Sequence, residues 1–128
     1  MKSINLLLVI IFCLMATMAI DAEQARGIEG IWEGKLQVSG SSLRIVFRIT
    51  KTTEGNLTAT MDSPDQGITG IPVNKVILKD NNLSIEIKAI AGIYEGIINQ
   101  DYSKIEGDWK QTGASFPLLL QKVGKAVE

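Results

Sequence analysis

The sequence predicts an all-β protein built as a single up-and-down antiparallel β-barrel of eight or nine strands. Three observations support this prediction. From Gly30 onward, apolar and polar residues alternate with a period of two, as in strands that bury one face. Turn-forming residues interrupt the alternation about every eight to twelve positions. No stretch of about ten residues keeps the 3.6-residue period of an amphipathic helix.

The alternation defines each strand and its inward face. In the first strand, residues 31–38, Trp32 lies on the face opposite Glu33 and Lys35. The other predicted strands are 43–51, 57–61, 68–71, 73–79, 83–90, 93–99, 104–111 and 115–123. Short connections favour pairing between consecutive strands. Such a meander closes most simply into a barrel, which hides its edges, and two stacked sheets are the alternative.

The N-terminal residues 1–22 have the character of a secretory signal peptide. A short basic start with Lys2 precedes an apolar run over residues 4–15, and small residues follow. We expect cleavage between residues 19 and 25 and export to the periplasm or the outside of a bacterium. The alternative is an uncleaved N-terminal anchor. The remaining chain divides into a linker (23–29), the barrel (30–123) and a C-terminal tail (124–128).

Composition excludes several kinds of chemistry. The chain has no histidine, and its one cysteine, Cys13, lies in the predicted signal peptide. Triads that need histidine or cysteine, and zinc sites built from them, are therefore excluded from the mature chain. We expect no catalytic residues, no metal and no cofactor. The formal net charge is −1 without a basic block, which argues against nucleic acid or, after cleavage, a membrane as partner.

A short aromatic motif recurs along the chain. Residues 30–34, Gly-Ile-Trp-Glu-Gly, resemble residues 92–96, Gly-Ile-Tyr-Glu-Gly, and residues 105–109 are a looser variant. Each copy puts an aromatic ring on the inward face, where rings usually fill a core. The alternative is an aromatic wall around a ligand. The candidate ligand-binding residues are then Trp32, Phe47, Tyr94 and Trp109.

Acidic residues offer only weak catalytic candidates. Alternation puts four carboxylates on the face opposite the rings, where charge pairing with neighbouring lysines and arginines is expected. These residues are Glu33, Glu95, Glu106 and Asp108. The loop at residues 62–67 has two carboxylates and is open to a calcium interpretation, but Asp, Pro and Gly favour a rigid turn.

The outer face of the last strands carries apolar residues. Alternation places Ile93, Ile97, Pro117 and Leu119 outside the barrel. It also places Val46 outside, between two arginines. If the first and last strands are neighbours, the late residues form a patch that a homodimer or a partner protein covers.

The start of the first strand resembles the Gly-x-Trp signature of lipocalin-like barrels. The motif here is Gly30-Ile31-Trp32. The resemblance implies a lipocalin-like architecture. It also implies that a basic residue near the last strand covers the tryptophan, and Lys122 is the candidate.

Residues 30–122 also resemble a domain at the N-terminus of secreted bacterial α/β-hydrolases of the serine aminopeptidase or esterase type. The similar segments are 30–36, 43–47, 59–67, 70–73, 94–96, 105–107 and 115–118. The sequence contains no Gly-x-Ser-x-Gly motif, so the resemblance implies an accessory domain without the catalytic half. It also implies a hydrolase in trans as a possible partner.

Two functions are consistent with these observations. The first is a noncatalytic exported accessory module that binds a partner or a surface polymer. The second is a lipocalin-like carrier of a small apolar ligand. An interior cavity of a few hundred Å³ favours the carrier, whereas a filled interior favours the module.

Overall fold

A computed structural model describes residues 27–125, so the predicted signal peptide lies outside the described residues. The chain forms nine strands and two short 3₁₀ helices. The strands are β1 (Gly30–Val38), β2 (Ser41–Lys51), β3 (Leu57–Ser63), β4 (Ile68–Pro72), β5 (Lys75–Lys79), β6 (Asn82–Ile87), β7 (Gly92–Ile98), β8 (Lys104–Gln111) and β9 (Ala114–Gly124). The 3₁₀ helices are η1 (Pro64–Gln66) and η2 (Lys88–Ile90). Within residues 27–125 no helix is long and apolar enough to cross a membrane.

All nine strands belong to one curled antiparallel sheet, in the order β4-β3-β2-β1-β9-β8-β7-β6-β5. The predicted all-β, barrel-like fold is confirmed, and β1 lies beside β9 as the meander requires. The two edge strands, β4 and β5, are consecutive in the chain. The residues between them hydrogen-bond to both sides: the Val73 N–H donates to Ala59 O (3.2 Å) and the Asn74 N–H to Glu86 O (2.8 Å). The link therefore joins β3 to β6 across the seam of the sheet.

Several predicted strand bounds differ from the structure by two or three residues, and two of these differences have a clear physical reason. The strand predicted at residues 83–90 stops at Ile87, and Ala89, predicted to face inward, is exposed in η2. Ala91 has a left-handed backbone (φ 52°), which turns the chain directly into β7. The strand predicted from residue 73 begins at Lys75, because Val73 and Asn74 form the link across the seam.

Val46 is the one outer-face assignment that the structure corrects. It was predicted to be exposed, but only 6% of its surface is accessible. In the outer face it lies between Glu33 of β1 and Asp62 of β3. The 3₁₀ helix η1 also packs against β2, where the Arg44 N–H donates to the Asp65 carboxylate (2.8 Å). These neighbours, which come from distant parts of the chain, cover the valine.

The interior is filled by residues from nearly every strand, as alternation predicts. The fully buried side chains are Trp32, Phe47, Ile49, Leu83, Ile85, Ile87, Tyr94, Ile98, Ile105, Trp109, Leu118 and Leu120. Ile28, which the sequence placed in a linker, is also buried in this core. The folded body therefore begins before β1.

Removing the Trp32 ring should cost about 3–5 kcal/mol of unfolding free energy, the usual range for deletion of a core aromatic side chain. The ring is fully buried, so Trp32→Ala leaves a cavity that the sheet cannot close. Urea denaturation followed by circular dichroism measures the loss. A loss below about 1 kcal/mol, the size of an ordinary surface change, would contradict this packing.

Candidate functional site

The four aromatic residues predicted to bind a ligand are all buried on the inner face of the sheet. Trp32 is the cross-strand partner of Phe47 on β1 and β2, and Tyr94 is the cross-strand partner of Trp109 on β7 and β8. The ring centroids of Phe47 and Tyr94 are 6.0 Å apart. The four rings are therefore neighbours in the core, but only Trp109 lines the cavity described below.

Trp32 and the residues before β1 close one end of the barrel. Its indole N–H donates to the carbonyl oxygen of Ile28 (2.9 Å). The Lys122 ammonium lies 5.1 Å from the centre of the Trp32 ring and donates to Gly27 O (2.6 Å). The prediction that Lys122 covers the tryptophan is confirmed. Desolvation lowers the pKa of Lys122, and the charge of Glu29 partly opposes this shift.

The middle of the barrel is filled around Tyr94. Its hydroxyl donates to the carbonyl oxygen of Leu118 (2.8 Å). Burial raises the pKa of Tyr94 well above its usual range, and the negative charges of Asp108 and Glu106 add to the shift. The phenol is thus a neutral structural donor with no acid–base role near neutral pH.

Two motif glycines leave room for these rings. A Cβ at Gly92 would lie 2.5 Å from the Trp109 ring, and one at Gly96 would lie 3.0 Å from the Tyr94 hydroxyl. Any side chain at Gly92 would displace the Trp109 ring, which belongs to the neighbouring strand. The repeated motif therefore serves ring packing.

The other end of the barrel is open and contains a cavity of about 410 Å³. Its floor is formed by the buried side chains of Leu36, Ile45 and Trp109. Further apolar residues line the walls: Val38, Leu43, Ile68, Ile71, Ile90, Ala114 and Phe116. β1, β2, β4, η2, β8 and β9 thus supply an apolar recess that opens to solvent.

Uncharged polar side chains complete the lining. The Trp109 indole N–H donates to Gln111 Oε1 (3.1 Å), and the Gln111 amide donates to Ile90 O (2.7 Å). Gln111 therefore fixes both the indole and η2. The Ser63 hydroxyl donates to Gln66 Oε1 (2.6 Å), which holds η1 at the same opening.

The acidic loop predicted at residues 62–67 is shorter in the structure, because Asp62 and Ser63 belong to β3; the turn favoured from the sequence is η1 with Gly67. The Asp62 carboxylate accepts hydrogen bonds from the Gly70 N–H (2.7 Å) and from Arg48 Nε (3.1 Å). Asp65 accepts the Arg44 N–H. Among residues 27–125 no group of three or more His, Cys, Asp or Glu side chains is placed to hold a metal ion. The loop carboxylates thus anchor η1 against β2.

The apolar residues predicted on the outer face are exposed there. Ile97 and Leu119 have 61% and 45% of their surface accessible, and Ile93 and Pro117 are also exposed. The register places Glu106 between Ile97 and Leu119. The charged side chains on the outer face of β8 thus separate the apolar residues into two strips, one on β7 and one on β9.

The candidate carboxylates also lie on the outer side. Lys110 Nζ forms an ion pair with Glu95 (2.8 Å) across β7 and β8, which matches the predicted charge pairing. Both side chains are about half exposed. Such a surface pair contributes little stability.

Sequence reasoning missed Thr112, which lines the cavity in the turn between β8 and β9. Thr112 and Gly113 both have positive φ angles (47° and 81°), as in a two-residue hairpin turn. A β-branched residue is strained in this conformation. The Thr-Gly pair between two strands was a sequence signal for the turn, but not for the cavity.

The fold and site define a barrel-like, all-β protein with one closed end and one open end that contains an apolar cavity. The chain matches no protein-family model, no curated protein and no solved structure in the comparisons with known proteins. The function must therefore be inferred from the site.

Alkaline pH should destabilise the fold through Tyr94. In the unfolded protein the Tyr94 phenol ionises at about pH 10, but in the folded protein its raised pKa keeps it protonated. This contribution to stability is present below about pH 10 and is lost as pH rises further. Tyr94→Phe should remove this alkaline loss. At neutral pH it should cost about 1–3 kcal/mol, because Leu118 O loses its donor.

Urea unfolding between about pH 8 and pH 11.5 measures both effects. The lowered pKa of Lys122 has the opposite effect, because it makes the fold more stable as pH rises. This contribution is the same in the wild type and the variant, so it cancels when their unfolding free energies are compared. Tyr102→Phe is the matched control and should keep the alkaline loss, because Tyr94 is retained. An unchanged pH slope in Tyr94→Phe would contradict the role assigned to the buried phenol.

Proposed function

We propose that this protein is a noncatalytic binding module that holds a small apolar ligand, or the apolar end of a larger one, in the open end of its barrel. The observation that carries the proposal is the cavity of about 410 Å³, with a floor formed by Leu36, Ile45 and Trp109. Side chains fill the middle of the barrel, and this solvent-open recess at its end is large enough for a small ligand.

The lining of the cavity supports this function more than its volume does, because recesses of about 390 Å³ beside Ile97 and about 370 Å³ beside Ile28 are of similar size. Ligand pockets typically have volumes of about 300–1,000 Å³, mostly apolar walls and a few polar groups that orient the ligand. Here the floor is buried and the polar residues, among them Gln111 and Thr112, belong to the same lining. Transfer of an apolar group from water to this floor contributes roughly 25 cal/mol for each Å² removed from water.

Binding without catalysis agrees with the chemistry of the lining. The chain has no histidine, and no ionisable side chain lines the cavity. General acid–base or nucleophilic catalysis would need such a group beside the ligand. The proposed function therefore needs only shape, apolar surface and neutral hydrogen-bonding groups.

The setting of this function is a proposal from the sequence alone. The signal-like residues 1–22 support export to the bacterial envelope. The resemblance of residues 30–122 to N-terminal domains of secreted α/β-hydrolases supports an accessory role beside a hydrolase. In that setting the cavity would hold an apolar part of a substrate or product.

A bulky side chain at the opening should block ligand binding. Ala114 lines the cavity, so Ala114→Trp places an indole in the opening. Titration with the neutral apolar dye N-phenyl-1-naphthylamine, followed by its fluorescence, measures the effect. We expect binding to weaken by at least about tenfold, which corresponds to about 1.4 kcal/mol.

The adjacent residue provides the matched control. Ser115 follows Ala114 in β9 and is exposed on the outer face, where it pairs with Lys110. Ser115→Trp adds the same ring outside the barrel and should leave dye affinity within about twofold of the wild type. Equal weakening by both variants, or a wild type that does not bind the dye, would contradict the proposal.

A protein partner on the outer face of β7–β9 is a second candidate function. The exposure of Ile93, Ile97, Pro117 and Leu119 favours it, since exposed apolar strips mark contact surfaces. A recess of about 390 Å³ lies beside Ile97. The partner is a second copy of this chain or, on the sequence resemblance, a hydrolase.

Self-association should depend on Leu119 if the partner is a second copy. Leu119→Glu puts a charge on the exposed strip, and burying that charge between two copies without an opposite charge is unfavourable. Light scattering at increasing concentration should detect a wild-type dimer and a monomeric variant. The control is Thr58→Glu on the exposed surface of β3, which should still dimerise. A wild type that stays monomeric would exclude the homodimer.

A further inference from the structure

We infer that the ligand of the open-end cavity is uncharged and carries a neutral hydrogen-bonding group, such as a hydroxyl, ester or amide, at its solvent-side end. This inference rests on the proposed function, because it specifies the chemistry of the same site. The cavity is then expected to bind a neutral amphiphile with a short apolar chain more tightly than a fatty acid or an amine whose chain has the same length.

The lining has no charge to offer a ligand. Ten of its fourteen residues are apolar, and the other four, Ser63, Gln66, Gln111 and Thr112, are neutral and polar. The carboxylates that flank Ser63 and Gln66 in the chain are already engaged. Asp62 pairs with Arg48 (3.1 Å), and Asp65 lies 3.9 Å from the Arg44 guanidinium. None of these four charged residues lines the cavity.

Desolvation then decides which ligands bind. An ion that moves from water to an apolar recess without an opposite charge loses far more hydration energy than a neutral polar group. A neutral group needs only one or two hydrogen bonds to offset its smaller loss. A carboxylate or ammonium at the end of an apolar chain is therefore rejected, or it keeps its charge in bulk water and leaves the recess partly unfilled.

The rim contains donors that suit a neutral acceptor. Gln66 uses its Oε1 to accept from Ser63, which leaves its amide N–H groups as the part that can meet a ligand. Gln111 donates to Ile90 O and accepts from Trp109, and an amide nitrogen carries two hydrogens. One Gln111 N–H therefore remains for a ligand oxygen.

Thr112 strengthens the assignment of the rim as the polar end of the site. Its φ of 47° is unfavourable for a β-branched residue, and Asn or Gly would fit this turn position better. Backbone strain of this kind is often retained at binding sites, where the side chain has a role. The Thr112 hydroxyl can donate to and accept from a neutral group that lies in the opening.

The test compares two ligands that differ only at the polar end. 1-Decanol and decanoate compete with N-phenyl-1-naphthylamine for the wild-type protein at about pH 8, where the carboxylate is ionised. We expect decanol to bind at least about tenfold more tightly than decanoate. Decanoate binding equal to or tighter than decanol, with the dye bound, would overturn the inference and leave the proposed function intact. Failure of the dye and both ligands to bind would instead overturn the proposed function.

A cation placed at the rim should reduce the preference for decanol over decanoate. Thr112→Lys introduces an ammonium beside the polar end, and an unbranched side chain is less strained at this φ than threonine. The ratio of decanoate to decanol affinity should rise by about tenfold. Gln66→Lys, at η1 on the same rim, is a second variant with the same expected result.

The matched control places the same charge at the closed end. Thr53 lies exposed in the turn between β2 and β3, so Thr53→Lys adds a distant lysine, and its ratio should equal that of the wild type. Circular dichroism establishes that each variant is folded. An unchanged ratio in both folded rim variants would show that the polar end of the ligand lies elsewhere and would overturn the assignment of the rim. Equal increases in the rim and control variants would reveal a nonspecific charge effect and would also overturn it.

Discussion

The contact of Trp32 with Ile28 and Lys122 determines how the barrel is closed. The indole donates to the backbone just before β1, and the ammonium on β9 covers the ring and binds Gly27. This contact joins the start and the end of the folded chain, because β1 and β9 are neighbours in the middle of the sheet. A fully buried ring at this junction fills the interior at one end of the barrel. The other end has no equivalent plug, so its apolar walls remain accessible.

The two ends of the barrel differ, and the cavity lies at the end that the core side chains leave open. Tyr94 and Phe47 fill the middle, and the hydrogen bond from Tyr94 to Leu118 satisfies a buried polar group across the interior. Above them, Trp109 forms the floor of the cavity and is fixed by Gln111. Two paired aromatic residues therefore differ in surroundings: Tyr94 is enclosed in the core, whereas Trp109 also lines the cavity.

Local patterns predicted the parts of the fold that depend on local geometry. Because side chains alternate across a strand, the inward positions of Trp32 and Tyr94 and the outward positions of Ile97 and Leu119 followed from the sequence. The burial of Val46 did not, since neighbours from β1, β3 and η1 cover it. The helix η2 interrupts a pattern that alternates through Ala89, and a contact from Gln111 holds it, twenty-one residues away. The cavity could not be predicted, because its volume depends on how six or more separate segments meet.

The proposed function places the ligand at the open end and leaves the closed end unchanged. The chain contains two tryptophans, one at each end, and each gives one indole N–H signal in a ¹H–¹⁵N spectrum of the labelled protein. Addition of N-phenyl-1-naphthylamine should shift the Trp109 signal, because this ring forms the floor of the cavity, and should leave the Trp32 signal in place. Movement of the Trp32 signal alone, or of neither signal at saturating dye, would contradict the account.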